Sequence, residues 1–217
     1  MMAKKPDRIK IYTDGGCDRN PGGTGGWAFR LMDGDRAIER SGSAARSTNN
    51  RMELTAAIRA LEMLDEFVPA AESAEVEILT DSQYLARGMN EWIANWVRRN
   101  WALRDGSPVK NTDLWKQLLA LANRHQVTWT WVQGHSDDPD NLRVDRLVQK
   151  VISHRSQQQA AKIISAPAEV KLVKQRGEPI SVTIAQKGVS AKVSVGWAHL
   201  QKLIEDLVAA LREGEES

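Results

Sequence analysis

Four carboxylates stand in four separate polar islands of the chain. They are Asp14 in Thr13-Asp14-Gly15-Gly16, Glu53 closing Thr48-Asn49-Asn50-Arg51-Met52-Glu53, Asp81 in Thr80-Asp81-Ser82, and Asp145 closing Asn141-Leu142-Arg143-Val144-Asp145. Asp14 and Asp81 each end an apolar, β-rich run. That predicts a bare acid at the tip of a strand, where clefts form in α/β sheets. Four acids drawn into one patch repel one another unless a hard cation such as Mg²⁺ or Mn²⁺ lies among them. Clustered acids with few dedicated bases point to metal-assisted phosphodiester chemistry and away from acyl transfer.

The elements that must position these acids are legible from periodicity and turn signals. Residues 8–13 (RIKIYT) alternate and read as a strand, followed by a glycine-rich loop at 14–26. Residues 27–32 and 37–44 read as two further strands joined by Asp33-Gly34-Asp35, a hairpin signal, so the three form an antiparallel meander. Residues 51–67 carry Leu54, Ala57, Ile58, Leu61 and Leu64 at helical spacing, with Thr48 or Asn49 as N-cap and Pro69 as the stop. A strand at 75–80, reached through that helix, is expected to run parallel to the first. Helical segments follow near 82–88, 91–99 and 112–125, then a fifth strand at 127–132 (VTWTWV) and a closing helix at 141–159. Trp115, Trp129 and Trp131 read as core residues, the last two on one face of their strand.

Composition bounds the class. The chain has 217 residues, 41% hydrophobic and 27% charged, which suits one ordinary domain plus an appendage. No run reaches the roughly 18 apolar residues of a membrane span. The start, Met-Met-Ala-Lys-Lys-Pro-Asp-Arg, leads into a short strand and not into the apolar core of a signal peptide. Cys17 is the only cysteine, so a reducing cytoplasmic setting is the expectation. Its place in a glycine-rich turn suits a small packed thiol better than a nucleophile. Net charge is +2, and residues 1–152 hold 21 basic and 21 acidic side chains, so global charge names no partner.

The islands at Asp14, Glu53, Asp81 and Asp145, together with Trp131-Val132-Gln133-Gly134-His135, resemble type 1 ribonuclease H. The likeness runs from about residue 10 to 149 and includes the stretches 12–22, 48–55 (TNNRMELT) and 80–84. It implies an α/β fold of the ribonuclease H-like kind, with a mixed five-stranded sheet of three antiparallel and two parallel strands flanked by helices. It implies catalytic roles for Asp14, Glu53, Asp81, His135 and Asp145. The four acids would hold two Mg²⁺ ions per site, with Mn²⁺ as a possible substitute, and the products would carry 5′-phosphate and 3′-hydroxyl ends. His135 would assist proton transfer or product departure. His125, His154 and His199 have no motif context.

The implied partner is an RNA–DNA hybrid. RNA is told from DNA by its 2′-OH, read by backbone and amide groups in a wide minor groove. By resemblance, Gly15, Gly16, Cys17, Asn20, Asn49 and Gln83 are placed to touch sugars or base edges, and Thr48 and Asn50 to grip a phosphate of the DNA strand. Residues 91–110 hold Trp92, Trp96 and Trp101 with Arg98, Arg99, Arg104 and Lys110, and resemble the basic protrusion that clasps the DNA strand in many relatives. Helical spacing also allows Trp92 and Trp96 to be an inner helix face, with Trp96 the better core candidate. Gln133 and Arg146 depart from the usual pattern, in which a lysine precedes the Gly-His pair and an acid follows Asp145.

The domain expectation is a catalytic unit at 1–162, a linker at 163–169 and a small β-rich extension with one helix at 170–217. The extension has alternating stretches at 170–174, 180–185 and 191–195 and an amphipathic helix at 197–211. No family is legible in it. It could aid hybrid binding, mediate a dimer or protein contact, or dock on the catalytic unit, for which a monomer is expected. Two alternatives to hybrid cleavage stay open: action on DNA junctions or integration ends, and a non-catalytic hybrid-binding module, which predicts loss of an acid.

Overall fold

The computed structural model describes residues 8–68, 75–134, 138–164, 169–173, 180–186 and 189–195. The expected helix at 197–211 and His199 lie outside these residues. The chain divides into two units, Met1–Gln157 and Gln158–Ser217.

The first unit is built on β1 (Ile9–Cys17), β2 (Gly25–Asp33), β3 (Arg36–Ala44), β4 (Glu75–Thr80) and β5 (Gln126–Trp131). They form one sheet in the order β3-β2-β1-β4-β5. β1–β2 and β2–β3 are antiparallel, while β1–β4 and β4–β5 are parallel. The β2–β3 hairpin turns at Gly34-Asp35, where Gly34 takes φ +59°, a conformation that two-residue hairpin turns need and side chains resist.

Helices α1 (Asn49–Phe67), α2 (Gln83–Arg87), α3 (Ile93–Arg98), α4 (Thr112–Ala122) and α5 (Pro139–Ile164) complete the described helices. One core gathers Ile11, Phe29, Leu31 and Ile78 from the sheet with Leu54, Leu61 and Leu64 of α1 and Trp115 and Leu118 of α4. The other gathers Tyr12, Ala28 and Leu79 with Val144, Val148 and Ile152 of α5. The sheet is therefore covered on both faces, which is why β1 alternates between two apolar environments. Burying one such aliphatic side chain contributes about 1.5–3 kcal/mol.

Two expectations are corrected. Asp14 does not sit at a strand tip: β1 continues through Gly15, Gly16 and Cys17, paired with Trp27, Gly26 and Gly25. Gly15, which read as part of a turn, is there because β1 presses on α1. A Cβ on Gly15 would lie 2.3 Å from the backbone of both Met52 and Glu53. Secondly, the helical segments near 82–88 and 91–99 form one run, α2 to α3, joined by a π-helical turn at Gly88–Trp92. Gly88 lets the Trp115 indole seat against the helix, since a Cβ there would lie 2.1 Å from the ring.

The second unit has three described strands, β6 (Glu169–Val173), β7 (Ile180–Gln186) and β8 (Val189–Val195), in an antiparallel sheet ordered β6-β7-β8.

Candidate active site

Thr48 caps α1: its Oγ1 accepts the backbone N–H of Arg51 at 3.3 Å. The cap fixes where α1 begins and so sets Glu53 in its second turn, against the backbone of β1. Asp14 lies on β1, with Oδ1 accepting the Gly15 N–H at 2.8 Å. β4 runs parallel to β1 and delivers Asp81 just past its last residue, Thr80. Thr80 Oγ1 and Ser82 Oγ accept the N–H groups of Ser82 and Leu85 at 3.1 and 3.3 Å, which turns the chain sharply from β4 into α2.

Three acids thereby converge. Carboxylate oxygens of Asp14, Glu53 and Asp81 all lie within 4.8 Å of one another. Glu53 is buried and its Oε2 has no hydrogen-bond partner. Burial, then the Asp14 and Asp81 charges, push its carboxyl well above the usual carboxylate range. A buried carboxylate oxygen left unpaired beside two acids is costly in a bare protein. A hard divalent cation, taking only oxygen donors, removes that cost. The residues present fit such an ion.

Asp145 is not one of the three whose oxygens lie within 4.8 Å of one another. It follows the fully buried Val144 on α5, on the sheet face where Tyr12 also lies. The start of α5 is tied to β1 by Asp138. Its Oδ1 accepts the N–H groups of Asp140 and Asn141 at 2.9 and 3.3 Å, and its Oδ2 accepts the Tyr12 hydroxyl at 3.0 Å. Burial and this hydrogen bond raise the Tyr12 phenol far above its ordinary value. Arg30 Nε makes an ion pair with Asp140 at 2.8 Å, while Arg30 and Arg143 both donate to Glu39, holding its carboxyl below the usual range, with Arg143 the larger cause. His135 lies outside the described residues. Gly134 passes close to Asp81, and a Cβ there would lie 2.8 Å from its Oδ2.

Gly15 and Gly16 lie within β1, beside Asp14. Cys17 ends β1 half-buried, and burial followed by the Asp18 charge pushes its thiol up, opposite to the shift a nucleophile needs. Asn20 Oδ1 accepts the Asn49 N–H at 3.2 Å, so the glycine-rich loop is tied to the first turn of α1. Asn49 and Asn50 are exposed there, and Gln83 is exposed at the start of α2. Arg51 forks onto Asp113 at 2.9 and 3.2 Å, tying the start of α1 to that of α4.

A chain of rings leads out from the core: Trp115 meets Trp96 at 5.3 Å and Trp96 meets Trp92 at 5.6 Å. Trp92, Trp96, Arg99 and Arg104 line a cavity of about 270 Å³. Arg98 and Arg99 are exposed, and Trp101 is half-buried with Lys116 Nζ 5.6 Å from its ring. Trp131 corrects the sequence reading. Trp129 is 8% exposed and belongs to the core, but Trp131 is 48% exposed and its indole N–H donates to the Asp81 carbonyl at 3.1 Å. The parity of β5 gave no signal of this. Asp138-Pro139, a cap residue followed by proline, is the signal that places the start of α5 two residues before the expected 141.

A mixed sheet with helices on both faces, and three acids gathered where β1, α1 and β4 meet, define an α/β protein whose acidic site suits a divalent cation. The RNase H family model matches residues 6–153. A ribonuclease H of Thiobacillus denitrificans is 50% identical over 141 residues, 65% of this chain and 90% of that protein. LC11-RNase H1, solved in complex with an RNA/DNA hybrid, is similar at TM-score 0.55 and 25% identity, over 69% of this chain and 99% of that one. In fold alone, LC9-RNase H1, a type 1 RNase H with the type 2 active-site motif, matches at TM-score 0.60 and 22% identity, over 92% of this chain and 82% of that one. The chain belongs to the RNase H family, whose members are nucleases, and it is a nuclease hydrolase.

Proposed function

We propose that the chain is an endoribonuclease that hydrolyses the RNA strand of RNA–DNA hybrids, leaving 5′-phosphate and 3′-hydroxyl ends. The observation that carries this reading is the convergence of Asp14, Glu53 and Asp81, with one oxygen of Glu53 buried and unpaired. Support for the substrate comes from the relative solved with an RNA/DNA hybrid. Asp145, on α5, would complete the donor set. Two Mg²⁺ ions, or Mn²⁺ in their place, would supply a polarised attacking water and a stabilised leaving 3′ oxygen.

The chain's own groups do the rest. Glu53, held by its helix against the backbone of β1, fixes the position of the site. Asn20, Asn49 and Gln83 read the sugars, and Gly15, Gly16 and Cys17 allow the strand to approach the β1 backbone. Thr48 and Asn50 grip the DNA phosphate, with the N–H groups at the start of α1 facing the anion. Trp92, Arg98, Arg99 and Trp101 hold the DNA strand by phosphate attraction and ring contact. His135 handles a proton or the departing product. The catalytic unit acts as a monomer in a reducing cytoplasm, and no helix among the described residues is long and apolar enough to cross a membrane.

A panel of end-labelled hybrid, duplex DNA, duplex RNA and single-stranded RNA tests this reading. Cutting of the hybrid's RNA alone, with products that a 5′-phosphate-dependent exonuclease then degrades, is the expected outcome. Cutting of duplex DNA or of single-stranded RNA at a comparable rate would sink it, and binding of hybrid without cutting would favour the non-catalytic module.

A further inference from the structure

Trp129 and Trp131 share one face of β5, yet their surroundings differ sharply. Trp129 is 8% exposed and Trp131 48%. β5 is the outer strand of its sheet and Trp131 its last residue, so no further strand of that sheet covers the ring. The ring is nonetheless held. Its N–H donates to the Asp81 carbonyl at 3.1 Å, and the strand beneath is pinned by the pairing of Thr80 with Trp131 and by the Val132 N–H on the Thr80 carbonyl at 2.9 Å. The polar atom of the indole is thus satisfied by protein, and what remains for solvent is apolar ring. Asp81 is one of the three gathered acids, so the indole is anchored on the backbone of a residue of the acidic site.

We propose that Trp131 is a substrate-contact residue, whose indole packs on a sugar of the RNA strand beside the cleaved phosphate. This rests on the hybrid reading above. Within a duplex the bases stack on one another, and the faces open to a side chain in the wide minor groove are sugars. A rigid ring laid on ribose C–H groups adds affinity without reading a base, as hybrid cleavage at many sequences requires. Two features suit the ring to this. Its rotamer is already fixed by the Asp81 carbonyl, so little ordering remains to be done on binding. Gln83, two residues past Asp81, is exposed as well, at the start of α2, while the ring is anchored on the Asp81 carbonyl from β5.

The test compares the wild-type chain with Trp131→Phe, which keeps a ring but loses the N–H, and Trp131→Ala, which loses both. Binding of a short fluorescent hybrid is read by anisotropy in EDTA, and KM and kcat in Mg²⁺. The expected result is a Kd and a KM raised about five- to tenfold in the alanine variant, the scale of losing one aromatic contact to a nucleotide. The phenylalanine variant, which keeps the ring but must order it on binding, falls between wild type and alanine, and kcat changes little in either. Unchanged binding by Trp131→Ala overturns the proposal, as does a phenylalanine variant as weak as the alanine one, which would reduce Trp131 to a brace for Asp81. A fall in kcat with KM unchanged points the same way. Wild-type protein that fails to bind hybrid overturns the hybrid reading and this contact with it, and is distinguished by occurring before any substitution.

Discussion

Glu53 concentrates the physics of the site in one side chain. It is buried, one of its oxygens is unpaired, and its carboxyl is raised by burial and by Asp14 and Asp81. A raised acid binds its proton in the folded state over a range where the unfolded chain has released it. In the cation-free protein, stability is therefore fully present below the ordinary carboxylate range and falls as pH rises through the raised value. Glu53→Gln removes that penalty, so at neutral pH in EDTA its Tm is expected a few degrees above wild type. Mg²⁺ binding is lost in the same variant. In wild type, Mg²⁺ affinity rises with pH, because the cation must displace the proton. Differential scanning fluorimetry and calorimetric titration at two pH values check both. At this scale the sequence showed the four acids as chemically odd, since each stands among polar residues that a core would not choose. It could not show which three fall within 4.8 Å of one another, because the place of Asp145 depends on where α5 is tied down. The tie is Tyr12 to Asp138, between residues 126 apart in the chain, which no local pattern encodes.

The elements were readable wherever one rule acted alone. α1 shows helical spacing, a cap at Thr48 and buried Leu54, Leu61 and Leu64, and its bounds, Asn49–Phe67, follow. β1 was read short because Gly15 serves close approach to α1, and a glycine chosen for lack of a side chain looks the same as one chosen for a turn. Trp131 was misread for a related reason: strand parity assigns a face but does not show where the covering helix stops. The run from α2 to α3 depends on a similar fit, Gly88 beneath Trp115. Gly88→Ala forces a methyl toward a fully buried indole and is expected to destabilise by about 1–3 kcal/mol, as overpacking does. Urea denaturation measures this. A neutral or stabilising result would mean the ring shifts freely, against the packing described.

At the scale of the whole molecule the two units differ in what the Thiobacillus denitrificans protein shares. A match of 141 residues spans 90% of the Thiobacillus denitrificans protein, which leaves little room there for a counterpart of residues 170–217. The proposed division into a catalytic unit at 1–162 and an extension at 170–217 predicts that a chain truncated after residue 162 keeps its kcat on hybrid within about threefold of the full chain, a difference of under about 1 kcal/mol in barrier. A change confined to Kd or to the oligomeric state would assign the extension to binding or assembly. Collapse of kcat would show that the catalytic unit needs it.

In the proposed function, Asp14, Glu53 and Asp81 form a cation-dependent centre for cutting RNA in hybrids. Its most direct measurement is single-turnover cleavage of an end-labelled hybrid by wild type and Asp81→Asn across a Mg²⁺ series, with EDTA as the zero point. Wild type is expected to cut only the RNA strand and only with the cation, and Asp81→Asn to lose at least roughly 10²–10³-fold in rate, the scale of removing one charge-stabilising group from a reaction centre. Cleavage by wild type in EDTA, or an Asp81→Asn rate close to wild type at saturating Mg²⁺, would contradict the account.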